Sequence, residues 1–125
     1  MKDGKFVILC VDDDQDFLDA TRIMLEANGY IVATAQSAED GLAKYHEVGP
    51  DLIIVDLMME EVDAGVGLAR DLKLAGNKAP VFMLSSVGDQ LNTNIDYNTL
   101  GLDGLFQKPL NFELFIKTLQ VKLGK

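Results

Sequence analysis

The chain alternates short runs of consecutive apolar residues with longer stretches in which apolar residues recur every three or four positions. Short apolar runs are typical of buried strands, and the longer spacing is typical of amphipathic helices. The pattern predicts five strands, at residues 6–11, 30–35, 52–55, 81–84 and 105–107. The first, third and fourth runs are apolar throughout, which favours a parallel sheet covered by helices on both faces.

Helices are predicted between these strands at residues 14–27, 37–47 and 65–75, and a last helix starts at an Asn111 cap. The segment 88–100 has sparse apolar positions and several asparagines, which are poor helix formers. It is still predicted as a helix, because parallel strands need a crossover connection. The last helix is expected to bury Phe112, Phe115, Ile116 and Leu119.

The strict alternation of strand and helix predicts an α/β fold with right-handed crossovers. We expect a doubly wound, five-stranded parallel sheet with strand order 2-1-3-4-5 and five helices. No linker, repeat or low-complexity stretch interrupts the 125 residues. Residues 1–125 are therefore predicted to form a single domain, with no output domain.

Charge and cysteine content narrow the function classes. The net charge is −9, so the field of the whole molecule repels nucleic acid and anionic lipid, and we expect it to bind neither DNA nor a membrane. The apolar runs are too short for a signal peptide or a membrane span. The single cysteine, Cys10, rules out an intramolecular disulfide and favours a cytoplasmic protein.

Reactive polar residues follow four of the five predicted strands. Asp12 and Asp13 follow the first strand, Asp56 the third, Ser85 the fourth and Lys108 the fifth. In an open parallel sheet, ligands bind at the carboxyl ends of the strands, beside the point where the strand order reverses. The expected order makes the first and third strands neighbours, so the three carboxylates are predicted to converge.

Three converging carboxylates repel one another unless a cation lies between them. Mg²⁺ fits such a site because it takes carboxylate oxygens, waters and phosphate oxygens as ligands. One histidine and one cysteine cannot form a zinc site. An acidic pocket that faces a lysine indicates phosphoryl transfer, in which metal and ammonium neutralise the transferring group.

The sequences ILCVDDD, DLIIVDLMM, PVFMLSS and FQKPL carry these residues in order. With them the chain resembles the receiver domain of two-component response regulators, from about residue 5 to residue 123. The resemblance implies a flavodoxin-like fold, shared with the single-domain chemotaxis regulator. It also implies that Asp56 accepts a phosphoryl group from a phosphohistidine on a sensor histidine kinase or a phosphotransfer protein.

The resemblance also implies roles for the other site residues. Asp13 would bind Mg²⁺ directly, Asp12 would bind it through a water, Asp56 would be a ligand as well as the nucleophile, and the backbone carbonyl of Met58 would complete the protein's ligands. Ser85 and Lys108 would each contact a phosphoryl oxygen. Such a domain catalyses only its own phosphorylation and dephosphorylation, and it signals by binding a downstream protein that the sequence does not identify.

Two positions depart from the family pattern and keep an alternative open. Glu60 stands where the family usually has proline, and Leu105 stands where it usually has the aromatic switch residue. These departures slightly favour a degenerate receiver that acts as a phosphorylation-independent scaffold, whereas the intact set of Asp56, Ser85 and Lys108 opposes it. A phosphohydrolase that uses Asp56 as nucleophile is less well supported, because Met58 stands where such enzymes have a carboxylate as general acid.

Overall fold

The computed structural model describes residues 2–56, 64–86, 103–108 and 110–123, with the backbone alone at 64–66, 86 and 108. Five parallel strands form one sheet in the order β2-β1-β3-β4-β5, as predicted. The strands are β1 Val7–Val11, β2 Ile31–Ala35, β3 Leu52–Asp56, β4 Val81–Ser86 and β5 Gly104–Lys108.

The described residues contain four helices, which we number in chain order. They are α1 Gln15–Ala27, α2 Ala38–Val48, α3 Ala64–Leu74 and α4 Phe112–Leu123. The helix predicted at 88–100 lies outside the described residues. The first three observed helices agree with the predicted ones to within one residue at either end, and the last one begins directly after its predicted cap, Asn111.

Side chains at the helix starts explain why these helices begin where they do. The Asp14 side chain accepts hydrogen bonds from the backbone N–H groups of the first turn of α1, and Ser37 accepts one from the first turn of α2. Asn111 does the same for α4, where its Oδ1 accepts the N–H of Leu114 at 3.1 Å. Such caps satisfy N–H groups that have no partner within the helix.

The sheet is covered on both faces. One core cluster lies under α2 and α3, and the other lies under α1 and α4. Phe115 and Leu119 are fully buried in the second cluster, as predicted. The prediction that Phe112 is buried is wrong, because its side chain is 40% exposed. Phe112 begins α4 at the carboxyl edge of the sheet, one turn before the layer in which Phe115 packs.

Two aspartates hold the amino ends of neighbouring strands in register. The Asp51 N–H donates to the Val7 carbonyl at 2.7 Å, and the Val7 N–H donates to the Asp51 carboxylate at 2.8 Å. Asp103 forms the same pair of bonds with Val81, at 2.7 and 2.9 Å. Because β1 and β3 start in register, their carboxyl ends also finish side by side, which is where the candidate site lies.

Candidate functional site

The register of β1 and β3 brings Asp12 and Asp56 together. Val11 pairs with Val55, so the next residue of each chain segment stands at the same level of the sheet. Both side chains are buried, with Asp12 1% exposed and Asp56 4% exposed. Burying a carboxylate is costly unless hydrogen bonds or a cation compensate for the lost water. Two such groups at adjacent strand ends therefore indicate a binding site rather than a solvated surface.

Hydrogen bonds fix Asp12 at both its backbone and its side chain. Its N–H donates to the Ala35 carbonyl at 3.0 Å, which extends the ladder between β1 and β2 by one residue. Its Oδ1 accepts the Asp14 N–H at 3.0 Å. This side-chain-to-backbone bond two residues ahead forms an Asx turn, so the chain turns sharply away from β1 into α1.

Asp13 completes the acidic cluster from the solvent side. Its side chain is exposed, and one carboxylate oxygen from each of Asp12, Asp13 and Asp56 lies within 4.8 Å of the other two. Among the described residues, no other three potential metal-ligating side chains come this close together. The sequence predicted this convergence, and the structure confirms it.

The donor set and the spacing of the cluster fit Mg²⁺. All three donors are carboxylate oxygens, the type of ligand that this hard cation prefers. Ligand oxygens stand about 2.1 Å from Mg²⁺, so two oxygens on one ion lie at most about 4.2 Å apart. A spacing within 4.8 Å is thus close enough for direct binding after a small side-chain rotation, or for binding through a bridging water.

Ser85 and Lys108 lie on the strands beyond Asp56. Ser85 is 2% exposed and follows Leu84, the residue that pairs with Asp56, so it stands one position further along the neighbouring strand. Lys108 ends β5 and pairs in register with Ser86. The structure therefore places both residues at the carboxyl edge of the sheet. The Lys108 side chain, Met58, Glu60 and Pro109 lie outside the described residues.

Cys10 lies within β1, two residues before Asp12. Burial raises the pKa of its thiol from 9.0 to about 12, and the negative charge of Asp12 adds to the increase while Arg22 opposes it. The thiol is therefore protonated at neutral pH and is a weak nucleophile. Cys10 is thus a buried structural residue.

The fifth strand has its aromatic residue one position away from the one that the family pattern would indicate. Leu105 is 41% exposed, whereas Phe106 packs against Phe82 and Phe115 with ring centroids 5.2 and 4.9 Å apart. Successive residues of a strand point to opposite faces. Phe106 therefore belongs to the core beneath α1 and α4, and Leu105 faces the other way.

The sequence profile described as "Response regulator receiver domain" matches residues 8–120. The chain belongs to this family. The family is one of signalling domains rather than of enzymes that turn over an external substrate.

Two of the relatives of this receiver are transcriptional regulatory proteins. The transcriptional regulatory protein ZraR of Salmonella typhimurium is 31% identical over 121 residues, which cover 97% of this chain and 27% of that protein. The alkaline phosphatase synthesis transcriptional regulatory protein PhoP of Bacillus subtilis is 31% identical over 104 residues, which cover 83% of this chain and 42% of that protein. The receiver thus spans less than half the length of both relatives.

Solved structures agree with the fold over nearly the whole chain. Chemotaxis protein CheY4 of Vibrio cholerae has a TM-score of 0.84 at 27% identity, covering 95% of this chain and 99% of that one. A CheY-like receiver domain protein of Methanospirillum hungatei has a TM-score of 0.86 at 29% identity, covering 97% and 95%. None of the helices in the described ranges is long and apolar enough to cross a bilayer.

Proposed function

We propose that this receiver accepts a phosphoryl group on Asp56 and signals by binding another protein. The observation that carries the proposal is the convergence of the Asp12, Asp13 and Asp56 carboxylates at the carboxyl ends of β1 and β3. The donor is a phosphohistidine on a sensor histidine kinase or a phosphotransfer protein, the donor class of the receiver family.

The transfer is a nucleophilic displacement at phosphorus. A carboxylate oxygen of Asp56 forms a bond to the phosphorus atom while the bond from phosphorus to the imidazole nitrogen breaks. The bonding electron pair stays with the imidazole nitrogen, and the leaving histidine is neutral because the other ring nitrogen carries a proton or the freed nitrogen takes one from solvent. The product is an acyl phosphate on Asp56. Because β3 is in register with both neighbouring strands, the backbone at Asp56 is held in place before the donor arrives.

Asp12, Asp13 and Asp56 would hold Mg²⁺, with the Met58 carbonyl as a further ligand. When bound, the ion neutralises part of the charge on the carboxylates and on the incoming phosphoryl oxygens. The Ser85 hydroxyl donates a hydrogen bond to one phosphoryl oxygen, and the Lys108 ammonium neutralises another as a point charge. In this proposal the aspartates and the Met58 carbonyl bind the ion, while Ser85 and Lys108 each contact one oxygen of the phosphoryl group.

The partners of this receiver are proposed to be proteins. The net charge of −9 opposes direct contact with nucleic acid, whose backbone is also negative. ZraR and PhoP are transcriptional regulators of which this chain matches only a part. That residues 1–125 form a receiver without an output domain stays a prediction.

Intact-mass spectrometry after incubation with acetyl phosphate and Mg²⁺ tests the proposal. The wild type should gain the mass of one phosphoryl group, and the gain should vanish with EDTA and in Asp56→Asn. Asp40→Asn removes an exposed aspartate of α2 and serves as the matched control, which should be modified like the wild type. A wild type that stays unmodified while a known receiver is phosphorylated in parallel would contradict the proposal and favour the scaffold alternative.

A further inference from the structure

A relay of hydrogen bonds runs from the start of α1 into the acidic cluster. The Asp14 side chain accepts the N–H groups of Asp16 and Phe17 at 3.0 and 3.2 Å, and its carbonyl accepts the Leu18 N–H at 3.1 Å. The N–H of the same residue donates to Asp12 Oδ1 at 3.0 Å. Asp14 is thus bonded to the helix on one side and to a site carboxylate on the other.

The two sides of Asp14 are mechanically linked. Its backbone has the extended conformation of a helix cap, with φ −91° and ψ 103°. That conformation is maintained by the two bonds to its side chain, and it sets the direction of the N–H that Asp12 accepts. If the side-chain oxygen is lost, residue 14 keeps its carbonyl bond to the Leu18 N–H but loses the two bonds that fix its cap conformation, so its N–H is held less firmly towards the Asp12 carboxylate.

We propose that Asp14 is a positioning residue for the metal site, beyond its role as a helix cap. By fixing its own N–H, it orients the Asp12 carboxylate, and it also holds one end of the short backbone segment that carries Asp13. This inference rests on the proposed Mg²⁺ site. Removing a group that orients a metal ligand without touching the metal itself commonly weakens metal binding by about 10- to 100-fold.

Neutral substitutions at position 14 separate positioning from charge. Asp14→Asn keeps an oxygen acceptor but removes the negative charge, whereas Asp14→Ala removes both. Asp14→Gly also lacks the oxygen, but glycine is nearly as good a cap as the polar residues, so this variant keeps most of the helix stability. A difference between Asn on one side and Ala and Gly on the other therefore reports the hydrogen-bond relay and not the charge.

Isothermal titration calorimetry with Mg²⁺ on the folded variants gives the first measurement. Asp14→Ala and Asp14→Gly should bind Mg²⁺ about tenfold more weakly than Asp14→Asn, at the low end of outer-shell effects. Ser37→Ala removes the equivalent cap from α2, where the Ser37 hydroxyl accepts the Asp40 N–H at 3.1 Å, and it should bind Mg²⁺ like the wild type. Circular dichroism establishes that each variant is folded.

A second measurement does not depend on the metal. In nitrogen-edited proton NMR spectra, the amide proton of residue 14 should exchange with water faster in the Ala and Gly variants than in the Asn variant. Equal Mg²⁺ affinity in Asn, Ala and Gly variants overturns the inference while leaving the proposed function intact. A wild type that binds no Mg²⁺ overturns the inference together with the metal-dependent part of the proposed function.

Discussion

Individual side chains of this receiver have environments that differ greatly from water, and Cys10 shows the consequence most clearly. Burial raises the pKa of its thiol from 9.0 to about 12. In the unfolded chain the thiol loses its proton at a lower pH than in the folded protein. The unfolded state therefore binds fewer protons than the folded state between these values, and the free energy of unfolding falls as the pH rises.

Cys10→Ala should remove this contribution. The variant is expected to be less stable than the wild type near neutral pH because it leaves a small cavity, and the difference should shrink as the pH rises above about 9. The wild type should lose up to about 1.4 kcal/mol per pH unit through this group. Urea denaturation from about pH 8 to about pH 11 measures the free energy of unfolding of both proteins. Groups other than Cys10 titrate in both proteins, so their contribution cancels when the two free energies are subtracted at each pH. A difference that does not change with pH would contradict the account.

The candidate site could be predicted from the sequence because its residues follow strands. Once the apolar runs of β1 and β3 are recognised, the positions of Asp12, Asp13 and Asp56 at one edge follow from the parallel topology. The bond from the Asp14 N–H to Asp12 was not predicted, although an aspartate two residues before a helix cap is a common Asx-turn signal. The exposure of Phe112 could not be predicted either, since helical periodicity does not show where the sheet ends.

At the scale of elements, pairing between strands extends them beyond their apolar runs. The sequence predicts that the third strand ends at Val55 and the fourth at Leu84. The structure carries β3 to Asp56, which pairs with Leu84, and it carries β4 to Ser86, which pairs with Lys108. These polar residues have no strand pattern of their own, so hydrogen bonds from the neighbouring strand decide their conformation.

Two glycines inside helices give a matched test of how closely the elements pack. A Cβ atom on Gly41 of α2 would lie 3.0 Å from both Leu68 Cδ2 and Val11 Cγ2, so these side chains of α3 and β1 would have to shift by a few tenths of an ångström to admit a larger residue. A Cβ atom on Gly67 of α3 would have no neighbour within 4 Å among the described residues.

Gly41→Ala should therefore lower the free energy of unfolding by up to about 2 kcal/mol, because an overpacking cost of about 1 to 3 kcal/mol outweighs the gain of up to about 1 kcal/mol in helix propensity. Gly67→Ala should raise it by up to about 1 kcal/mol, because alanine is a better helix former in open space. Urea denaturation of the two variants checks both signs. If the two substitutions change stability equally, close packing at Gly41 is not what requires glycine there.

At the scale of the whole molecule, the cluster concentrates negative charge in a protein that already carries a net charge of −9. A divalent cation that binds only the folded state stabilises that state by mass action. At a Mg²⁺ concentration one hundred times the dissociation constant, the gain is about 2.7 kcal/mol. Stability should therefore respond to Mg²⁺ much more strongly than to a monovalent salt of the same ionic strength.

Thermal unfolding with and without Mg²⁺ measures this effect. The wild type should show a higher Tm in Mg²⁺ than in KCl at matched ionic strength. Asp13→Asn should lose most of the increase, because one carboxylate of the cluster is neutralised. Asp13 suits the test because its side chain is exposed, so the substitution leaves no buried group without a partner. An equal Tm increase in both proteins would place the cation elsewhere.

The measurement that tests the central claim most directly is the location of the phosphoryl group. After incubation with acetyl phosphate and Mg²⁺, borohydride reduces an aspartyl phosphate to homoserine, and peptide mass spectrometry then locates the converted residue. The account predicts homoserine at position 56 in the wild type and none in the sample treated with EDTA. Conversion at another aspartate, with Asp56 unchanged, would contradict it.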